Sequence, residues 1–312
     1  MRAGDARRRG IARLLLLLAA AACGMPAVPD PAPRVVEVVP EGGAVPASLA
    51  EVTVVFSAPV SPAGLADGRL LVLVPAASER AAVAAVESEE GAAELAGAAP
   101  GWVALADGGR RAVLHLSAPL HPLVPYAVVI GSGVRAADGR AVLDAEGRSK
   151  PTVARFETGP VPGPPARAVI AELGIDAETP EAGGEYVVLW NRGAGSLDLF
   201  GHRLEKRTAA GGVTGCALGE GVVAPGGLAL VAGGAYDGRY LLPAGTVVLT
   251  CGTTALLGGL ANDRLPALQL RDPQGTILST AGAAGGPVCA VALRRDPDGP
   301  DEPGNWECWE GE

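Results

Sequence analysis

What most limits the folds open to this chain is its punctuation: 45 Gly and 27 Pro are spread through 312 residues, and the stretches between them are short and rich in Val, Leu and Ala. Proline lacks the backbone donor a helix interior needs, and glycine there is entropically costly, so long helices are disfavoured over most of the length. The surviving runs have strand length: RVVEVVP from Arg34, Val52 to Phe56, Leu70 to Val74, Trp102 to Ala106, Ala112 to Leu116, Pro125 to Ile130 and Val153 to Thr158. Turn formers separate them, among them Ser57-Ala58-Pro59, Asp107-Gly108-Gly109 and Asp138-Gly139. Val52, Val54 and Phe56 alternate with Thr53 and Val55, the period of a strand with two different faces. Many short strands joined by turns predict an all-β fold built of sandwiches.

One stretch breaks the rhythm. Residues 76–99 are rich in Ala and Glu, and the sequence predicts one short helix over Glu79 to Glu89, with Ser78 as N-cap and Gly91 as stop. Glu87, Glu89 and Glu90 read as a solvated charge run on it. After Thr158 comes GPVPGPPA, Gly159 to Ala166, too rich in Pro and Gly for a sheet and therefore a domain boundary. Strand patterning resumes beyond it. Tyr186, Val188 and Trp190 alternate with Val187 and Leu189, Asn191-Arg192-Gly193 is a turn, and Asp272 to Gly275 closes a hairpin.

The N-terminus carries a different signal. Arg7, Arg8, Arg9 and Arg13 precede an apolar run from Leu14 to Ala22, too short to span a bilayer of about 30 Å and arranged as a secretory signal peptide is. Ala20-Ala21-Ala22-Cys23 resembles the lipobox of bacterial lipoproteins, which implies that Cys23 carries the lipid and begins the mature chain; the alternative is an ordinary cut after one of the alanines. Gly24 at the next position fits sorting to the outer membrane. Residues 24–33, GMPAVPDPAP, read as an extended tether. The formal charge is −9, to which the leader contributes +4, so the exported part carries about −13 and repels nucleic acid and anionic headgroups.

Besides Cys23 there are Cys216, Cys251, Cys289 and Cys308, an even number confined to the last hundred residues of an exported chain. This reads as two disulfides. Of the three connectivities, Cys216 with Cys251 and Cys289 with Cys308 are preferred because each closes a sequence-local loop. A four-cysteine zinc site needs close C-x-x-C pairs, and none occurs.

Catalytic patterns are missing. There is no G-x-S-x-G elbow and no H-E-x-x-H helix, and the three histidines, His115, His121 and His202, are isolated in sequence. His202 reads as a structural ring in a strand, and His115 and His121 as edge residues around Pro119. The sharpest ligand candidate is the run Asp296-Pro297-Asp298-Gly299-Pro300-Asp301-Glu302. Asp296, Asp298, Asp301 and Glu302 around a Gly turn offer the oxygens Ca²⁺ takes, but no Glu stands at the twelfth position and two prolines intervene. The preferred reading is a solvated acidic loop held by the Cys289–Cys308 staple, with Ca²⁺ as the alternative and no other cofactor expected.

Two stretches resemble known families. PRVVEVVPEGG, EVTVVFSAPVS, LHLSAPLHPLVPYAVVIGSGVRAADGRAV and ARFETG together resemble the bacterial Ig-like domain of S-layer and other surface proteins over Arg34 to Thr158, which implies a spacer or adhesive module. Ile170-Ala171-Glu172-Leu173, Glu185 to Leu189 with Asn191, Leu197 to Leu204, Ala224-Pro225-Gly226, Leu268 to Asp272 with Gly275, Leu293-Arg294-Arg295 and Asn305-Trp306 resemble the lamin-tail domain, also an Ig-fold sandwich, over Arg167 to Trp309. His202 stands where that family often has Trp, and the resemblance implies strand-edge structural roles for Glu172 and Glu185. The chain is thus expected to be all-β, with two Ig-like β-sandwich domains in tandem preceded by a signal peptide: 1–22 leader, 23–33 tether, 34–158 first sandwich, 159–166 linker, 167–312 second. The function expected is non-enzymatic: a lipid-anchored cell-envelope protein, structural or binding, held to the outer membrane by Cys23 and facing an envelope protein or polysaccharide. The alternatives are an accessory binding protein of an extracellular hydrolase system and a secreted, unanchored adhesin.

Overall fold

A computed structural model describes residues 31–309 except 89–91, 93–94, 96, 176–182, 209, 253, 261–265, 283–286, 288, 290–291 and 297. Cys23 and the leader lie outside the described residues, as does the expected stop at Gly91. Nearly all regular structure is β, in two sandwiches.

The first sandwich contains β1 (Val35–Val39), β2 (Ala44–Val45), β3 (Glu51–Phe56), β4 (Leu71–Pro75), α1 (Glu79–Val86), β5 (Gly101–Ala106), β6 (Arg111–Leu116), β7 (Pro125–Ile130) and β8 (Thr152–Thr158). Its two four-stranded sheets run β1-β3-β6-β5 and β2-β8-β7-β4. Val52, Val54 and Phe56 point inward and meet Leu71, Leu73, Leu114, Tyr126, Val128 and Phe156 in one buried cluster. Burying each such aliphatic or Phe side chain stabilises by about 1.5–3 kcal/mol, so the inward face holds the sheets together.

β4 and β7 are buried on both faces, which alternation cannot explain. The second face is covered by α1: Ala82 and Val86 pack on Val72, Val74, Ala127 and Val129. The helix stops at Val86, earlier than the sequence predicts, and Ser78 at its cap position makes no side-chain cap hydrogen bond. A 3₁₀ turn at Ala76–Ser78 leads in instead, its next N–H, that of Glu79, donating to the Ala76 carbonyl. Glu87 is exposed, as a solvated charge run requires, and Glu89 and Glu90 lie outside the described residues. Its two carboxylate oxygens accept from the Ser132 N–H and hydroxyl, both at 2.7 Å, which draws residue 87 out of the helix.

The second sandwich contains β9 (Ala168–Gly174), β10 (Tyr186–Asn191), β11 (Leu197–Asp198), β12 (Arg203–Arg207), β13 (Val213–Ala217), β14 (Val222–Val223), β15 (Leu228–Ala232), β16 (Val247–Thr250), β17 (Ala267–Arg271), β18 (Ile277–Ala281), β19 (Ala292–Arg295) and β20 (Trp306–Trp309). A six-stranded sheet, β16-β15-β10-β9-β19-β20, faces a four-stranded one, β13-β12-β17-β18, and β11 pairs with β14. Ile170, Val187, Leu189, Val231, Leu204, Leu268, Leu270 and Leu293 fill the space between. The β17–β18 hairpin turns where Asp272 Oδ1 accepts the N–H groups of Gln274 and Thr276, with Gly275 at φ 86°. Cys216 and Cys251 lie at disulfide distance, Cα–Cα 5.6 Å, as do Cys289 and Cys308 at 5.3 Å.

The segment between the sandwiches carries no strand but is tied at both ends. Gly159 donates to Val45 O, and Pro165 O accepts from the Gly195 N–H. A Cβ on Gly193 would stand 2.4 Å from Pro165 O and one on Gly195 2.0 Å from Pro164 O, so both positions require glycine. Asn191, fully buried, locks the entry: its Oδ1 accepts from Arg167 and Gly193 N–H, and its amide donates to the carbonyls of Gly195, Val223 and Ala224.

Candidate functional site

Cross-strand register gathers chemistry on the outer face of the six-stranded sheet. Val188 on β10 lies opposite Glu172 on β9, Glu172 opposite Arg294 on β19, and Arg294 opposite Glu307 on β20. Opposed residues project to the same face, so these four form one row across four strands. The flanking rows hold Leu228 with Trp190 on one side and Tyr186, Gly174, Ala292 and Trp309 on the other. Together with Gly226, Asp296 and Asn305 the row lines a trough of about 590 Å³.

Specific contacts in and beside the trough fix its side chains. The Tyr186 ring lies against Gly174, where a Cβ would come within 2.3 Å of its Cε1. That approach lets the Tyr186 hydroxyl donate to Glu172 Oε1 at 2.6 Å and orient the carboxylate. Burial, then the bond to Glu172, pushes the Tyr186 hydroxyl well above its ordinary range, so it remains a donor. Trp190 donates its indole N–H to Gly226 O at 3.1 Å, with the Arg192 guanidinium 4.8 Å from its ring centre. Arg192 also pairs with Asp298 at 2.5 Å. Arg294 lies 4.7 Å over Trp309, and among the described residues it closes no ion pair with Glu172 or Glu307 beside it.

The acidic run does not converge on a point. Asp296 Oδ1 accepts from the Asp298 N–H, Asp298 pairs with Arg192, and Asp301 Oδ1 accepts from Gly282 N–H and the Trp306 indole, while Glu302 is exposed. Among the described residues no three His, Cys, Asp or Glu side chains stand close enough to share a metal ion. Of the run's described residues only Asp296 lines the trough, beside Asn305, whose amide donates to the carbonyls of Asp296 and Pro300. Behind it Arg295, 7% exposed, donates to Thr280 O and Ser279 Oγ, and its desolvation lowers its pKa.

His115, His121 and the two glutamates sit differently from the sequence expectation, and His202, packed as expected, lies just ahead of β12 and not in a strand. His115 lies in β6, an interior strand, stacked on Trp102 at 4.2 Å with Nδ1 3.1 Å from Glu51. His121 is a contact between the sandwiches: its Nδ1 is 2.8 Å from Asp198 Oδ2, and its ring stacks on Phe200 at 3.9 Å. Phe200 in turn packs against the first core. The Thr158 hydroxyl reaches the His121 main-chain oxygen and not its ring. His202 is buried, and desolvation lowers its pKa, which fits a neutral packed ring. Glu172 stands on an interior strand, and Glu185 is buried with Oε1 accepting from the Leu260 N–H, so neither is an edge residue. The sequence left the trough unseen because its row joins residues from position 172 to 307.

The fold and this surface define an all-β chain of Ig-like sandwiches. Residues 29–158 match the family model of the bacterial Ig-like domain. No curated protein matches the chain. Solved structures that do match include the N-terminal part of the bacterial S-layer protein SbsC, at 14% identity, 80% of this chain, 42% of that one and TM-score 0.27. E. coli alpha-2-macroglobulin matches at 11% identity, 86% of this chain, 18% of that one and TM-score 0.27, and an L,D-transpeptidase from Mycobacterium smegmatis at 13%, 70%, 89% and 0.24. The chain spans less than half the length of the first two. No helix among the described residues is long and apolar enough to cross a membrane.

Proposed function

We propose that this chain is a non-catalytic module of the bacterial cell envelope, lipid-anchored through Cys23 at the outer membrane, whose second sandwich is a lamin-tail-like domain that carries the binding surface. The observation that carries the reading is the bacterial Ig-like match over residues 29–158, which fits a structural or binding role outside the cytoplasm. Two cysteine pairs at disulfide distance support export, since such bridges persist in oxidising compartments. The lipobox-like Ala20-Ala21-Ala22-Cys23 supports the anchor. The test is detergent partition of the wild type and Cys23→Ser expressed in a bacterial host. The wild type enters the detergent phase and the variant does not; equal partition of the two would sink the anchor and favour the secreted adhesin.

A further inference from the structure

We propose that the trough on the six-stranded sheet binds a neutral polysaccharide, an inference that deepens the envelope reading and rests on it. The mixed row Glu172, Arg294, Glu307 limits the charge a ligand can carry. An anionic ligand would meet Glu172, Glu307 and Asp296 in the same trough, and a cationic one would meet Arg294. A hydroxyl both donates and accepts, so a neutral polyol satisfies carboxylates and guanidinium in turn without facing a like charge. Carboxylate and guanidinium are planar and form hydrogen bonds in pairs, a geometry that suits adjacent hydroxyls on a sugar ring.

The surroundings agree. Trp190, half-buried and fixed by its bond to Gly226 O, has the Arg192 guanidinium over one face of its ring and presents the rest of that apolar ring to the trough, against which the C–H face of a pyranose packs. Glu172 is held by the Tyr186 hydroxyl and Arg294 lies over Trp309, so both polar groups are ordered before any ligand arrives. The trough's volume, about 590 Å³, lies in the range of small-ligand sites. The exported part's net charge, −9 less the leader's +4 or about −13, disfavours acidic polymers at longer range.

The test applies the full exported chain to an array of neutral oligosaccharides of glucose, mannose, galactose and N-acetylglucosamine, with uronic-acid oligosaccharides and basic and acidic peptides on the same surface. At least one neutral series is retained. Trp190→Ala weakens that binding about tenfold or more, Glu172→Gln and Glu307→Gln each about threefold to tenfold, and Trp102→Ala on the first sandwich leaves it unchanged. Glu307 is exposed on β20, so its variant keeps the test valid if Trp190→Ala does not fold. Retention of no neutral glycan, binding to acidic glycans or peptides alone, or binding indifferent to Trp190 and Glu307 overturns the proposal. An anchored protein that retains no neutral glycan overturns this inference and leaves the envelope reading standing.

Discussion

The two sandwiches treat the outer face of a sheet in opposite ways. In the first, α1 lies on β4 and β7, and Val72, Val74, Ala127 and Val129 are buried behind it. In the second, the outer face of β10, β9, β19 and β20 stays open and carries Val188, Glu172, Arg294 and Glu307. A covered face reads as unbroken apolar sequence, LVLV in β4 and AVVI in β7. An open face keeps its polar positions and with them the means to recognise something. The second contrast is covalent: both cysteine pairs at disulfide distance lie in the second sandwich.

The covalent contrast predicts the largest effect. Bridges closing loops over separations of 35 and 19 residues contribute about 4 and about 3 kcal/mol by loop entropy. Reductant therefore lowers the second melting transition in calorimetry and leaves the first in place; a common shift of both would break the comparison. Next in size is a charge placed on each outer face. Val129→Asp under α1 costs about 4 kcal/mol, because the carboxylate is buried without a partner, whereas Val188→Asp in the open trough costs about 1 kcal/mol or less. Denaturant titration measures both, and equal costs would mean that α1 does not cover its sheet.

Alkaline titration sharpens the picture of the first core. Burial raises the Tyr126 hydroxyl from 10.0 to about 12. A folded value above the unfolded one gives a contribution that is complete below pH 10 and is lost as pH rises through about 12, about 2 kcal/mol in all. Unfolding of the first sandwich followed from pH 9 to 12 shows this fall, and Tyr126→Phe flattens it. The smallest effect belongs to the junction. His121→Ala combined with Asp198→Asn in a double-mutant cycle yields a coupling of about 1 kcal/mol, read as faster cleavage between residues 159 and 166 in limited proteolysis. Unchanged cleavage would show that the His–Asp contact does not hold the sandwiches together.

Strands were legible in the sequence wherever one face is buried and the other wet, as in Val52-Thr53-Val54-Val55-Phe56 and Tyr186 to Trp190, because burial writes a period of two. The Asp272–Gly275 turn was legible too, since its side-chain geometry is local. The helix end at Val86 was not, since Glu87 is drawn away by Ser132, a partner 45 residues on. The acidic run was visible as a composition but its contacts were not, because its neighbours arrive from Arg192 and Gly282. His121 could not be paired with Asp198 from a sequence in which they stand 77 residues apart. Contacts between distant strands leave no local trace, and the trough is made of such contacts.

The fastened linker has a mechanical consequence. With Gly159 bonded into one sandwich and Pro165 into the other, a pull across the junction has only the few residues between them to straighten before it reaches the ring stack and the His121–Asp198 bond. Those contacts join side chains rather than strands, so they give way singly while each sheet opposes the pull with its whole ladder of hydrogen bonds. The junction is therefore a fuse: under tension the molecule lengthens there first, and it can close again once the force is gone, with both cores intact.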